Sequence, residues 1–525
     1  MSVYQDWLEN TSARRCVLIV VGVYQVSPPT ETFKYLSSTG YTTTSGDISF
    51  LPILTSGLKF TEELAEEGGV SISYGDIGIN NNNGQYDDWL DNTKYVWVNR
   101  SINIYYGDPT WAYANEAAIY AGNFELIYSG VVADIDSKDR TTINIKIRDK
   151  MQRLNNPLTE NKLGTYGTWN GGQSNKDTIK PIIFGEVHNI EPLLIDPSIL
   201  QYMSNDGVCE GVTEIRDNGV PLYTSGVLTT GATLDNANGK FVLTSPLVGQ
   251  CTMSVQGVNK SINLTTGALQ TTTYGNNIAN LIALITTQYG STISGVKLDG
   301  ATELDLVNLA AFASANTQPV GFAVLDRENV LDVCQQLAES ISAQMYFTRK
   351  GKLQLIKYGV STTDTSVTIT NSDIISGSLS ISNRSTIIAA KKLGYAKNWT
   401  VQSNLTTQIQ QSNKDALSEE WYTYTSLDST GVKTLYKLNG DPVQKDTLLI
   451  ATADASNEAI RLNNFYGVIK TTYSFTGRSK LLSLKLGQPV SLVHTRFGLS
   501  AGKTGQVVSL SPDWSTGLVD VGVLI

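Results

Sequence analysis

From residue 14 to residue 149 the chain repeats one pattern: short runs of β-branched and aromatic residues, punctuated by clusters of Gly, Pro, Asn and Ser. Residues 14–25 read as a strong strand, and after Pro28-Pro29 residues 32–36 fold back on it as a hairpin. Residues 51–61 are apolar and extended. Residues 70–79 alternate, with Val70, Ile72 and Tyr74 in one register and Ile77 and Ile79 in the other. A β-bulge at Gly75 accounts for that slip. Residues 95–106, 124–135 and 142–149 complete the set. Strands at this spacing predict a barrel or sandwich of about 150 residues. A short amphipathic helix over residues 2–12 precedes it, with Trp7 and Leu8 facing inward.

A loop rich in Asn, Gly and Thr over residues 155–177 separates this set from a second one. The second begins at Lys180 with Pro-Ile-Ile-Phe-Gly. It carries hairpin turns at Asn218-Gly219 and Asn238-Gly239, and closes with Thr252-Met-Ser-Val-Gln-Gly as a small all-β unit. Helical periodicity then appears over residues 276–289, through Ile278, Ile282 and Ile285. It recurs over residues 326–343, through Val330, Val333, Cys334, Leu337 and Ile341, with Asp326 placed as N-cap. Gln344-Met-Tyr-Phe, a turn at Arg349-Lys350-Gly351 and Lys352-Leu-Gln-Leu-Ile form a further hairpin. A third helix over residues 454–466 leads into strands at 470–475, 489–493, 505–511 and 519–524. The fold class is thus mainly β with a few helices (α+β), and 525 residues call for more than one core.

Composition narrows the function. Charged residues are 17%, against roughly 25% in soluble proteins, and Thr, Ser, Asn, Gly and Tyr take their place. Such a composition suits strands, and surfaces that neighbouring subunits cover. The net charge is −9 with no polybasic tract, which argues against stable nucleic-acid binding but suits a conduit through which DNA slides. The N-terminal residues lack the pattern of a cleaved signal peptide, and the longest apolar run, residues 16–24, is too short to span a bilayer; no membrane anchor is expected. Cys16, Cys209, Cys251 and Cys334 are scattered, with no CxxC, and read as buried small hydrophobes in a reducing compartment. Cys209 and Cys251, which flank the small β unit, are the pair considered for a disulfide, and the free-thiol reading outweighs it.

Catalytic constellations have little support. Only His188 and His494 are present, neither with a companion at metal-ligand spacing, and structural roles are the better reading of both. The stretch from Asn80 to Asp88 is rich in ligand-type oxygens but lacks EF-hand spacing, and a polar loop explains it. Asp134, Asp136 and Asp139 cluster at a hairpin turn, as solvated turn residues do. The Gly-rich run from Gly164 to Gly172 lacks the lysine and helix of a phosphate-binding loop. No catalytic, cofactor-binding or metal-ligating residue is therefore assigned, and no cofactor is expected.

Four segments, in this order along nearly the whole chain, resemble tail-tip or baseplate-hub proteins of tailed bacteriophages and prophages. The first comprises Asp76-Ile-Gly-Ile, Asp88-Trp-Leu-Asp, Val98-Asn-Arg, Ile104-Tyr-Tyr-Gly-Asp and Tyr128-Ser-Gly-Val-Val-Ala-Asp-Ile. The second runs from Lys180 to Pro197. The third comprises Val330-Leu-Asp-Val, Gln344-Met-Tyr-Phe and Gly351-Lys-Leu. The fourth comprises Leu486-Gly-Gln-Pro-Val and Arg496-Phe-Gly-Leu-Ser-Ala-Gly-Lys.

The resemblance implies two tail-tube-like β-barrel domains, residues 1–155 and 321–525. Between them it implies a linker over 156–178, a small inserted all-β module over 179–262 and a helical connecting segment over 263–320. It also implies a non-enzymatic structural virion protein, a homotrimer whose paired barrels make a pseudo-sixfold ring closing the tail tube. Distal tail or tail-tube proteins would lie above the ring, with tail fibre or spike proteins, and the tape-measure protein, as further partners. DNA would pass only in transit during genome ejection. Synthesis would occur in the bacterial host cytoplasm and the final location would be the distal end of the virion tail. The chain ends on a strand-like Val521–Ile525 rather than a fibrous extension, so receptor-binding spikes are expected as separate chains. Two readings from other classes compete: a tail-associated carbohydrate-degrading enzyme, with facing carboxylates in a groove, and a receptor-binding adhesin.

Overall fold

The computed structural model describes residues 3–10, 12–55, 58–64, 70–114, 122–164, 175–293, 295–359, 364–403, 405–407, 409–427, 431–438 and 440–525. Strands dominate, as the alternation predicts, and a few helices accompany them. The sheets of the described residues are open rather than closed on themselves.

The first large sheet has nine strands and is centred on Cys16–Gln25. This strand is apolar at nearly every position, and both of its faces are buried from Cys16 to Val23. Such a run belongs at the centre of a sheet. Thr30–Ser37 pairs with it antiparallel on one side, as the hairpin reading expects, and Ser101–Gly107 on the other. Glu125–Asp139, Thr142–Arg148 and Asp76–Asn80 extend the sheet. Val3–Glu9 is helical and buries Trp7 and Leu8.

The second large sheet orders Val367–Ile369, Pro489–Leu492, Lys503–Asp513, Leu518–Leu524, Thr471–Gly477 and Ser380–Arg384. It also takes in Phe60–Leu64, which pairs with Lys503–Asp513 through Glu63 opposite Ser509 and Glu62 opposite Leu510. Val70–Tyr74 pairs in turn with Phe60–Leu64. A hairpin from the N-terminal half is therefore built into the C-terminal sheet. One apolar core spans both sheets, from Leu18, Ile104 and Tyr128 to Phe475, Leu510 and Val521.

Gly75 sits at the crossing point. The residues before it pair in the second sheet, and Asp76–Asn80, directly after it, pairs with Thr142–Arg148 in the first. The expected bulge is thus a change of sheet. A Cβ at Gly75 would lie 2.8 Å from the Lys59 carbonyl oxygen, so the close backbone approach calls for glycine.

Other local expectations also shift. Residues 51–61 form no single strand but parts of Ser49–Pro52 and Phe60–Leu64, which belong to different sheets. Residues 95–106 split into Tyr95–Val96 and Ser101–Gly107 around Asn99, whose φ of 64° interrupts the extended run. The helix placed over 326–343 is Val330–Glu339, and Asn329, not Asp326, caps it by accepting the Leu331 N–H. Asparagine in the extended region does here what aspartate was expected to do. Leu306–Ala315 is a helix that periodicity did not single out; its Asp305 cap accepts the Asn308 N–H.

In the middle of the chain, Ile182–Ile190 separates two cores by simple alternation. Ile182 and Phe184 face the helical core with Leu281, Ile285, Val333 and Leu337, whereas Ile183 and Val187 face a smaller core with Ile215, Phe241 and Val255. The Asn218-Gly219 turn has φ values of 47° and 87°, as a two-residue hairpin with both residues left-handed requires. Ile182–Ile190 belongs to a five-stranded sheet ordered Val220–Thr224, Cys209–Asp217, Cys251–Val258, Ile182–Ile190 and Gly321–Val324.

Candidate functional site

The residues weighed for chemistry take up structural positions. The His188 Nε2 lies 3.4 Å from Glu186 Oε1. Burial pulls its pKa below the ordinary histidine value, against Glu186 and Glu214, which pull it up. The His494 Nδ1 accepts the Arg496 N–H. Among the described residues no hydroxyl or thiol is hydrogen-bonded to either ring. In the Asn80–Asp88 stretch, buried Asn81 accepts the Tyr86 N–H through Oδ1 at 2.9 Å and donates through Nδ2 to Asp87 at 2.7 Å. The loop's polar groups therefore satisfy one another. Lys146 sits between Asp134 and Asp136 at 3.6 and 2.6 Å, and Asp139 caps its own turn by accepting the Thr141 N–H. No cluster of metal-ligating side chains occurs among the described residues. All four cysteines are buried free thiols. Cys209 pairs with Val258 and Cys251 with Asp217, at opposite ends of two adjacent strands. The Gly164–Gly172 run lies almost wholly outside the described residues.

What the fold does bring together is a junction. The hairpin of Ala343–Phe347 and Leu353–Lys357 is buried along its strands and charged at its tip, Arg349-Lys350-Gly351. That tip reaches both large sheets. The Ser129 N–H donates to the Arg349 carbonyl at 2.7 Å, and Lys350 pairs with Glu125 on the first sheet. The Arg349 guanidinium pairs with Glu62 at 3.2 Å, donates to the Leu484 carbonyl and lies 5.9 Å over Trp514. Glu62 is fully buried, and burial pushes its carboxyl above the usual range against the pull of Arg349. A cavity of about 510 Å³ opens beside this tip, lined by Tyr4, Glu125, Lys350, Lys352, Lys485 and Trp514 among others. Read from sequence, residues 349–351 were a hairpin turn and nothing more. Their charge, at the end of an otherwise buried hairpin, was the available signal.

The second feature is sheet edge without a further partner strand among the described residues. Ser380–Arg384 ends the second sheet, bonded on one side to Thr471–Gly477, and all five of its residues are exposed. Val367–Ile369 ends it on the other side, and Tyr41–Thr42 ends the first sheet. An exposed edge presents a row of backbone donors and acceptors that another strand can pair with. On the first sheet's strands Phe33, Leu51 and Val96 also stay 37–49% exposed.

No protein-family model matches this sequence, and no curated protein matches it. Among solved structures, the chain is similar to the 43 kDa tail protein of prophage MuSo2 from Shewanella oneidensis, at 10% identity and a TM-score of 0.38. That alignment covers 97% of this chain and 98% of the other. It is similar to a chain of the virion of a native gene transfer agent particle, at 12% identity and a TM-score of 0.38, over 71% of this chain and 91% of that one. A third similarity, to a tail protein from Neisseria meningitidis MC58, has 8% identity and a TM-score of 0.36 over 97% and 96% of the two chains.

Proposed function

We propose that this chain is a structural, non-enzymatic subunit of a bacteriophage tail, forming the tip or baseplate-hub ring that closes the tail tube at the distal end of the virion. The observation that carries the reading is the ordered set of four hub-like segments. Uncovered sheet edges, apolar side chains left in solvent and a composition poor in charge are what a ring subunit needs. Residues 1–155 and 321–525 serve as the two tube-like units and 179–262 as the inserted module. The ring is a homotrimer, with tail-tube proteins above it and fibre or spike proteins anchored below. DNA passes through a lumen whose acidic or neutral wall does not hold it, in keeping with the net charge of −9.

Light scattering and negative-stain imaging of the purified chain, alone and in virions, test this reading. A threefold ring at the tail tip is the expected result. A stable monomer decorating the outside of the tail overturns it, and glycan binding or cleavage by that monomer would establish one of the two competing classes.

A further inference from the structure

A cavity of about 460 Å³ lies between the helix Thr452–Tyr466, the start of the Ala343–Phe347 strand and the segments around residues 388 and 444. Its charges do not balance. Glu458, buried on that helix, is already saturated: Lys357 Nζ lies 2.8 Å from one carboxylate oxygen, and Arg461 reaches both at 2.7 and 2.9 Å. Arg461 spends a further N–H on the Tyr358 carbonyl. Two cations on the cavity wall, Lys391 and Lys445, form no ion pair among the described residues. The parallel pairing of Lys392–Tyr395 with Gln444–Asp446 sets Leu393 opposite Lys445, so Lys391, two residues before Leu393, lies diagonally across from Lys445 on the same wall. Lys445 has a hydroxyl as its partner, Ser342 Oγ at 3.2 Å. Glu339 is the carboxylate on the wall, and Ile388, Leu462, Phe465 and Tyr466 make much of the rest apolar or aromatic.

We propose that this cavity binds an organic carboxylate with an aromatic or aliphatic body, its carboxylate held between Lys391 and Lys445. Two half-buried ammonium groups on one wall, with the Lys391 charge acting on Lys445, repel each other and lose hydration, and a shared anion relieves both costs. Burial and the Lys391 charge both lower the Lys445 pKa, with Arg461 adding to them and Glu339 and Glu458 opposing, and a bound anion would oppose that lowering. The volume falls within the range of small-ligand sites, roughly 300–1,000 Å³. An inorganic ion would leave the Phe465–Tyr466 wall unused. A free small molecule and an acidic group on another polypeptide offer the same chemistry.

The test uses the full-length chain with benzoate as the probe and benzamide as its uncharged counterpart, at matched ionic strength. Acetylation rates of individual lysines are followed by mass spectrometry, and thermal stability is measured in parallel. Benzoate is expected to slow modification of Lys391 and Lys445 several-fold and to raise Tm, and benzamide to do neither. In the Lys391→Gln/Lys445→Gln double variant, which removes the repulsion and should fold at least as stably in chloride, the benzoate effect on Tm disappears. Equal effects of the two probes, or a benzoate effect that survives in the double variant, overturn the proposal. Two readouts separate the sources: a small anion retained in native mass spectrometry marks a free ligand, and a zero-length crosslink from Lys391 or Lys445 to an acidic residue of another chain in the virion marks a polypeptide carboxylate.

Discussion

Glu62, on the hairpin that the N-terminal half inserts into the second sheet, meets Arg349, at the tip of the central hairpin, at 3.2 Å with side chains only 3% and 12% exposed. Three parts of the chain are tied at this one contact, and both partners are largely withdrawn from water. Removing one member of such a buried pair costs about 3–5 kcal/mol, because the other is left charged and unpaired. Arg349→Met is therefore expected to lower the stability of the chain by that order in urea unfolding.

The Glu62 pKa is raised by burial and held down only in part by Arg349, so the variant also acquires a pH signature. A carboxyl whose folded pKa exceeds its unfolded value is best tolerated protonated. Its favourable contribution is complete below the unfolded pKa and disappears as pH rises through the folded one. The deficit of Arg349→Met should be smallest in acid and grow towards neutrality. Adding Glu62→Gln should recover much of it at pH 7. A deficit that does not vary with pH would mean that the Trp514 and Leu484 contacts, not the charge, carry the effect.

Glu303 gives the opposite sign. Burial pushes its carboxyl up, but Arg153, Lys150 and the Asp299 N–H more than offset this and hold it at about 2. The contacts are short, 2.6 and 3.1 Å from Arg153 and 2.8 Å from Lys150. A depressed carboxyl contributes stability above its unfolded pKa and loses it as pH falls towards the folded value. Glu303→Gln should cost about 1–3 kcal/mol at pH 7 and progressively less between pH 5 and 2. Parallel acid-denaturation curves for the two proteins would refute this account.

Much of this arrangement was legible from residue order, and the losses have specific causes. Residues 16–25 and 182–190 announce themselves because their apolar pattern is dictated by burial on one or both faces. The helix Ile278–Gln288 was found by its stripe. Leu306–Ala315 was not, because only Leu309 and Phe312 on it are buried, too few to set up a period. Of the hairpin of Phe60–Leu64 and Val70–Tyr74, the second strand and the first two residues of the first read as extended, but alternation says nothing about which sheet a strand will join. The partner of Phe60–Leu64 lies near residue 510, and no local pattern points there. Glu62 and Lys445 were missed for the same reason: each is an ordinary charged residue in sequence, and only long-range contacts bury it.

Gly75 marks the point where that long-range choice is made. The chain leaves one sheet and enters the other there, with the Gly75 N–H donating to the Lys59 carbonyl at 3.2 Å. A side chain would press on that same carbonyl, which is backbone and cannot rotate away. Gly75→Val is expected to destabilise by about 1–3 kcal/mol, the usual cost of forcing atoms into a packed site. Hydrogen exchange should locate the damage in Phe60–Leu64 and Asp76–Asn80 rather than in the distant small β unit. Uniform loss of protection would mean instead that the two sheets and the module unfold as one.

The Ser380–Arg384 edge separates assembly from folding. Its five residues are exposed, Ile381 at 37%, and their inward bonds go to Thr471–Gly477. Ile381→Lys therefore removes little buried surface and should shift stability by no more than about 0.5 kcal/mol, as surface changes do. If this edge accepts a strand from a neighbouring subunit, a lysine there opposes the pairing by charge and by its need for water. The variant should keep its circular dichroism spectrum and Tm while losing higher-order species in sedimentation velocity. Unchanged assembly would mean that this edge accepts no neighbouring strand, and under the proposed ring reading the search would move to other sheet ends such as Val367–Ile369 and Tyr41–Thr42.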